Sequence, residues 1–223
     1  MTVIFGLTFL TGALVGADTL RHNALNNKSV GSASKVRSFG KRAVVAKSGY
    51  GPSADPVWDA IRRRINGEDL DAGDVADIVV SEGAKTLAIC SAASKEAGHP
   101  DPGLSFIVSG LTDDRPSLHG IQLADQQRCD VEGHGKVIAF GMRQTTSARA
   151  HELAETLIRK ESDRLLLNAW DWARELIEEE RCSNPHAIGF PGEMLFVRPG
   201  LEVETMKVDP ALMLNPRAIV SMS

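Results

Sequence analysis

The chain has 223 residues, 43% hydrophobic and 24% charged, with a net charge of −4. That is enough apolar material for a sizeable core, and the charge balance gives no reason to expect a nucleic-acid partner. Cys90, Cys129 and Cys182 are odd in number and widely spaced, so neither a disulfide framework nor a metal-binding spacing is present. We expect no metal, no cofactor and a reducing, cytoplasmic home.

Residues 3–9 and 13–17 are apolar runs separated by Leu10, Thr11 and Gly12, the pattern of a β-hairpin. The uncharged stretch 2–17 lacks a basic leading region and is punctuated by Gly12 and Gly16, which favours the hairpin over a signal peptide. It is also too short to span a bilayer, and no membrane partner is expected. A hairpin returns Asp18 to the neighbourhood of Thr2. Removal of Met1 leaves Thr2 with a hydroxyl and a free α-amine on one residue. An α-amine titrates near pH ~8, so it can take the hydroxyl proton, directly or through one water, and return it to a leaving group. Lys35 opens a third extended run. Held between Asp18 and the Thr2 hydroxyl, it stays charged and lowers the hydroxyl's pKa.

Residues 19–34 are rich in Asn, Ser and Gly and read as a long loop, either a pocket border or a plain solvent loop. Residues 43–46 form a short strand that runs into Lys47, Ser48, Gly49, Tyr50, Gly51 and Pro52. The two glycines allow a close backbone approach, and Ser53 or Asp55 followed by Pro56 reads as the start of a helix.

These opening segments carry a resemblance. Thr2-Val3-Ile4-Phe5-Gly6-Leu7, Gly12-Ala13-Leu14-Val15-Gly16-Ala17-Asp18-Thr19, Lys35-Val36 and Gly49-Tyr50-Gly51-Pro52-Ser53-Ala54-Asp55 resemble the opening of a proteasome β-type subunit. The peptidase subunit of the bacterial two-component ATP-dependent protease and the bacterial proteasome-like peptidases are similar. All are N-terminal-nucleophile hydrolases. The resemblance covers residues 2–55 well, continues loosely through 104–110 and 137–141, and is weak after residue 180. It implies Thr2 as nucleophile with Asp18 and Lys35 beside it, and the Gly51 amide as donor to the oxyanion. It also implies Ser32, Ala33, Gly49 and Ser53 along the substrate cleft.

Beyond the opening, residues 54–66 read as a helix ending in Arg62, Arg63 and Arg64, a solvated or subunit-facing end. Residues 72–97 form the longest helical signal, with Val75, Val79, Gly83, Thr86, Cys90, Ala93 and Ala97 in a small-residue stripe. Residues 98–103 break the chain, and His99 and Asp101 are loop residues without a metal role. Residues 104–110 and 116–121 pair as strands about a turn at 112–115. Residues 125–136, with Cys129 and His134, read as a surface segment before a strand at 137–140. Two amphipathic helices follow at 147–160 and 163–180, the second ending in Glu178, Glu179 and Glu180, a small cost against the helix dipole when solvated. Strands at 193–198 and 201–208 close the pattern, and the tail 210–223 is apolar without a clear period.

Strands, two helices, strands, two helices and strands give an α+β chain. The expected architecture is a four-layer αββα sandwich of two antiparallel sheets flanked by helices, as in N-terminal-nucleophile hydrolases, in a single domain over 1–223. Two positions depart from the resemblance. Gly141-Met142-Arg143 stands where the family has Gly-Ser-Gly, so Met142 replaces a supporting hydroxyl. Near 181–186 no Asp appears, leaving Ser183, Asn184 or His186 as the only substitutes.

Three functions remain open: a threonine-type peptidase of a self-compartmentalising ring, a proteasome-like ring acting as scaffold or binding chamber, and a small-amide amidase. The resemblance implies a bacterial homo-oligomeric ring, with two rings stacked, a peptide or unfolded-protein substrate, and an ATPase unfoldase as a possible feeder.

Overall fold

The structure is a computed structural model that describes residues 2–22, 29–49, 51–98, 103–158 and 165–210. Met1, His99, Asp101, part of the polar loop and nearly all of the apolar tail, including Leu212, Met213, Leu214 and Ile219, lie outside the described residues. Among the described residues the chain is α+β, with antiparallel sheets and four helices.

The opening hairpin forms as its sequence dictates. Strand β1 (Ile4–Phe9) pairs with β2 (Gly12–Asp18) from Ile4↔Ala17 to Phe9↔Gly12. Both strands are buried along their whole length, which explains why they read as continuous apolar runs rather than alternating ones. Phe5, Leu7, Phe9 and Leu14 face one core, and Ile4, Val15 and Ala17 face another. Gly16 admits the Phe5 ring, whose Cε2 lies 2.3 Å from where a Cβ at Gly16 would stand. Phe5 in turn meets Trp172 edge to face at 5.1 Å.

The polar loop after the hairpin is not structureless. Short strands β3 (Leu20–His22) and β4 (Ser29–Ser32) pair across it. They are too short and too polar to show a period-two signal. Then β5 (Val36–Phe39) and β6 (Ala43–Gly49) lead into α1 (Gly51–Ile65), which starts three residues before the expected first residue, 54. Arg62, Arg63 and Arg64 are exposed at its end.

Helix α2 (Ala72–Glu96) is capped by the Asp71 side chain, which accepts from the Asp74 amide. Its buried residues run only from Ala72 to Leu87. The later part of the expected stripe is not core: Cys90 is half-buried, Ala93 is exposed, and Ile89 is 72% exposed.

Strands β7 (Leu104–Thr112) and β8 (Arg115–Gln122) form the expected pair. The segment read as a surface stretch holds a strand of its own, β9 (Gln127–Glu132), pairing with β8 from Ser117↔Glu132 to Gln122↔Gln127. Five of its six side chains are exposed, so it carries no hydrophobic signature. Its attachment is polar. Buried His119 on β8 places Nδ1 2.8 Å from Asp130 Oδ1, and Arg128 reaches both Asp130 and Asp77 of α2.

Strand β10 (Val137–Phe140), helices α3 (Thr146–Ile158) and α4 (Leu165–Ser183), and strands β11 (Gly192–Val197) and β12 (Glu204–Val208) complete the chain. One five-stranded sheet has the order β10-β1-β2-β11-β12, the other β5-β6-β7-β8-β9. Apolar side chains lie in three sets. The first joins α3 and α4 to the β1-containing sheet. The second joins α1 and α2 to the β6-containing sheet. The third lies between the two sheets.

Trp170 and Trp172 of α4 belong to the first set. Their indole N–H groups donate to the carbonyls of Lys207 and Ala150, each at 3.0 Å. The acidic end of α4 is also not simply solvated: Glu180 is 1% exposed, because its carboxylate is taken up by polar groups of the segment after β10.

Candidate active site

Thr2 precedes β1 and is 5% exposed. Its main chain is held from both sides. Ser48 Oγ on β6 donates to the Thr2 carbonyl at 3.1 Å, and the following amide, Val3 N–H, donates to Asp18 Oδ1 at 3.1 Å. The hairpin register produces the second contact. With Ile4 opposite Ala17, the next residue of each strand is Val3 and Asp18, and Asp18 N–H donates back to the Val3 carbonyl at 3.3 Å.

Asp18 is fully buried. Its carboxylate also accepts from Leu20 N–H at 3.2 Å, from Lys35 Nζ at 3.0 Å and from the Gly189 backbone. Burial pushes the Asp18 carboxyl above its usual range, while Lys35 and the amides of Val3 and Gly189 hold it down. Lys35 stands just before β5 and is 9% exposed. Its ammonium donates to Asp18 and, at 2.7 Å, to the Leu20 carbonyl. Burial pulls the Lys35 pKa down. Asp18 opposes that shift, and the positive charges of Arg21 and Lys47 add to it. Several N–H donors on one carboxylate favour its ionised form, so the geometry is that of an ion pair closed off from water.

The structure therefore brings the Thr2–Val3 peptide, Asp18 and Lys35 together, and adds two groups to which the sequence reading gave no role. Ser48 stands just before the quoted Gly49–Asp55 segment and has no chemical signature of its own. Gly189 contributes through its backbone alone, which leaves no trace in a sequence.

The expected cleft residues fall into two groups. Ser32 pairs with Leu20 across β3 and β4, and Ala33 N–H donates to the Thr19 carbonyl at 2.9 Å. Thr19 in turn donates from its hydroxyl to the Pro191 carbonyl at 2.6 Å. Gly49 ends β6 with φ +141°, and a Cβ there would stand 2.4 Å from the Gly103 carbonyl oxygen. Only glycine fits that approach. Gly51 is the first residue of α1, where amide groups have no partner within the helix and the dipole favours negative charge. Ser53 lies in the same helix, and its side chain is outside the described residues.

Neither accessory position joins the set. Met142 is half-buried against the α3–α4 core and gives its backbone N–H to Glu180 Oε2 at 3.1 Å. Ser183 is exposed at the end of α4, its hydroxyl turned back to the Glu179 carbonyl at 3.4 Å. His186 is exposed as well. Among the described residues no group of three or more His, Cys, Asp or Glu could hold a metal, and no helix is long and apolar enough to cross a membrane.

No protein-family model matches the chain, and no curated protein sequence matches it. Solved structures do. The Anbu complex from Pseudomonas aeruginosa, solved as a helical assembly, superposes with a TM-score of 0.72 at 18% identity, covering 94% of this chain and 87% of that one. An Anbu (Gly-1) mutant from Hyphomicrobium sp. strain MC1 gives 0.70 at 14% identity over 94% and 88%. A second Anbu structure from that strain gives 0.64 at 15% identity over the same shares. At these identities the likeness establishes the fold alone. It corrects the family read from residues 2–55: the fold is consistent with Anbu proteins, and the likeness gives no ground for placing the chain among proteasome β-type subunits or the peptidases of the two-component protease. The opening motif marks the hairpin and the buried pair, features of the fold, and these do not single out one family.

Proposed function

We propose that the chain is a threonine-type peptidase of the N-terminal-nucleophile kind, acting on peptide bonds once Met1 is removed. The observation that carries this reading is the buried Asp18–Lys35 pair placed against the backbone of Thr2. Two charges kept from water beside a latent terminal nucleophile have a chemical use that packing does not supply. In the mechanism the Thr2 hydroxyl attacks the scissile carbonyl and its own α-amine takes the proton. The Lys35 ammonium favours the alkoxide, and Asp18 fixes Lys35 and, through Val3 N–H, the Thr2 main chain. The Gly51 amide, at the positive end of α1, receives the developing oxyanion, a donor typically worth ~3 kcal/mol. The amine then protonates the leaving group, and water releases the acyl enzyme by the reverse path. Ser32, Ala33, Gly49 and Ser53 border the peptide.

The three apolar sets support an αββα sandwich forming a single domain over 1–223. Self-association supports confinement of the site. The Anbu neighbour from Pseudomonas aeruginosa assembles helically, and here the far half of α2 exposes Ile89 and Ala93. We take the oligomer to be a closed homo-oligomeric ring of cytoplasmic chains, fed by an unfoldase.

Thr2→Ala tests the chemistry. The variant folds and loses turnover of a fluorogenic peptide; unchanged turnover removes Thr2 from the mechanism. A second reading, a non-cleaving chamber, rests on Met142 and Ser183, which place no hydroxyl near the Thr2 amine. Wild-type chain that assembles but cleaves no peptide favours it.

A further inference from the structure

We propose that Glu180 is a positioning residue for Thr2: its buried carboxylate clamps the turn between β10 and α3 that flanks the N-terminal strand. The proposal rests on the reading of Thr2 as the reacting residue.

A carboxylate 1% exposed near the end of a helix is costly unless its oxygens are satisfied. Both are satisfied by one turn of chain. Oε2 accepts Met142 N–H at 3.1 Å, and Oε1 accepts the hydroxyl of Thr146, the first residue of α3. The carboxylate thus also faces a helix N-terminus, where negative charge is favoured. The approach is close: a Cβ at Gly141 would stand 2.6 Å from Thr146 Oγ1 and 3.0 Å from Glu180 Cδ. Next along α4, Glu179 holds the same turn from outside through Arg143 at 3.2 Å and Arg149 at 2.8 Å.

The turn matters because of where it lies. Among the described residues strand β10 is the edge of its sheet and pairs with β1 alone, ending at Ile4↔Phe140. Two residues further along the two chains stand Thr2 and Met142. On one flank Thr2 is secured by Asp18 and Ser48. On the other flank the chain is an edge-strand end, and Glu180 is the buried group that ties it down. The hydroxyl that the resemblance led us to expect at residue 142 is absent, and the same residue is anchored through its backbone.

Hydrogen exchange and kinetics on the full-length oligomer test this together. In Glu180→Ala, peptides covering 2–9 and 141–146 exchange faster in concert while 43–49 does not. Peptidase kcat falls on the order of 10- to 100-fold, with KM within about twofold because no substrate contact is removed. Glu180→Gln restores both readouts. Its amide oxygen accepts Met142 N–H, and its NH₂ donates to Thr146, whose hydroxyl is then free for the Arg143 carbonyl 2.8 Å away. Faster exchange at 141–146 with 2–9 unchanged overturns the proposal, as does an unaltered kcat. Wild-type chain without peptidase activity overturns the reading of Thr2 instead, and the exchange at 2–9 still decides the clamp. If Glu180→Ala fails to fold, Thr146→Val, which removes only the hydroxyl arm, takes its place with the same two outcomes.

Discussion

Lys35 Nζ lies 3.0 Å from Asp18 Oδ2, with the lysine side chain 10% exposed and the aspartate not at all. The pair is also a hub. The Asp18 carboxylate holds the amides of Val3 and Leu20, and the Lys35 ammonium holds the Leu20 carbonyl. Removing either partner leaves a buried charge uncompensated, at a cost of about 3–5 kcal/mol. Lys35→Ala and Asp18→Ala are therefore expected to be less stable in denaturant titrations and to hydrolyse no peptide. A peptidic epoxyketone, which needs both hydroxyl and amine, should modify Thr2 in the wild type and fail in the Lys35 variant. Labelling of that variant at the wild-type rate contradicts the role given to Lys35.

The same pair sets a pH profile. Activity rises as the Thr2 α-amine loses its proton, near pH ~8, and falls as Lys35 loses its own. Burial pulls the Lys35 pKa below 10.5 against the opposing effect of Asp18, so the alkaline limb lies below that value. Stability moves the other way. Between the lowered folded pKa of Lys35 and 10.5 the unfolded chain binds the extra proton, so this group's contribution to stability increases with pH. Turnover and circular dichroism recorded together should separate the two, with activity lost while the fold persists. A limb that coincides with unfolding assigns the loss to the fold and not to Lys35.

Confinement predicts assembly. A contact between unlike surfaces either closes into a ring or continues as a helix, and one Anbu neighbour takes the helical course. Sedimentation at micromolar concentration should show a large discrete homo-oligomer. Ile89→Asp, on the exposed half of α2, should shift it toward smaller species without changing the unfolding midpoint of the monomer. A wild-type monomer or dimer removes the chamber.

The sequence disclosed the site wherever strand register carries it. Phe5, Leu7 and Val15 mark the hairpin, and the hairpin alone takes Asp18 back to Thr2. It was silent where the contact is main chain or polar. Gly189 acts through its backbone, β9 is nearly all exposed and held by His119, Asp130 and Arg128, and the short β3 and β4 have no period. Charge at a helix end misled in one case. Glu178, Glu179 and Glu180 look alike in a row, yet Glu178 pairs with Arg181 at the surface while Glu180 is buried. The helix's rotation places them differently, and nothing local in the sequence shows that the turn after Phe140 needs an acceptor. The opening motif misled about the family because what it records is the hairpin and the buried Asp18–Lys35 pair, and these belong to the fold.

The central claim is that Thr2 becomes the N-terminal residue and acts as nucleophile, and the intact mass of the purified native oligomer tests it most directly. The account predicts a chain lighter by one methionine, and a single further adduct, mapped to Thr2, after treatment with a peptidic epoxyketone. A chain that retains Met1, or an adduct on any other residue, contradicts it.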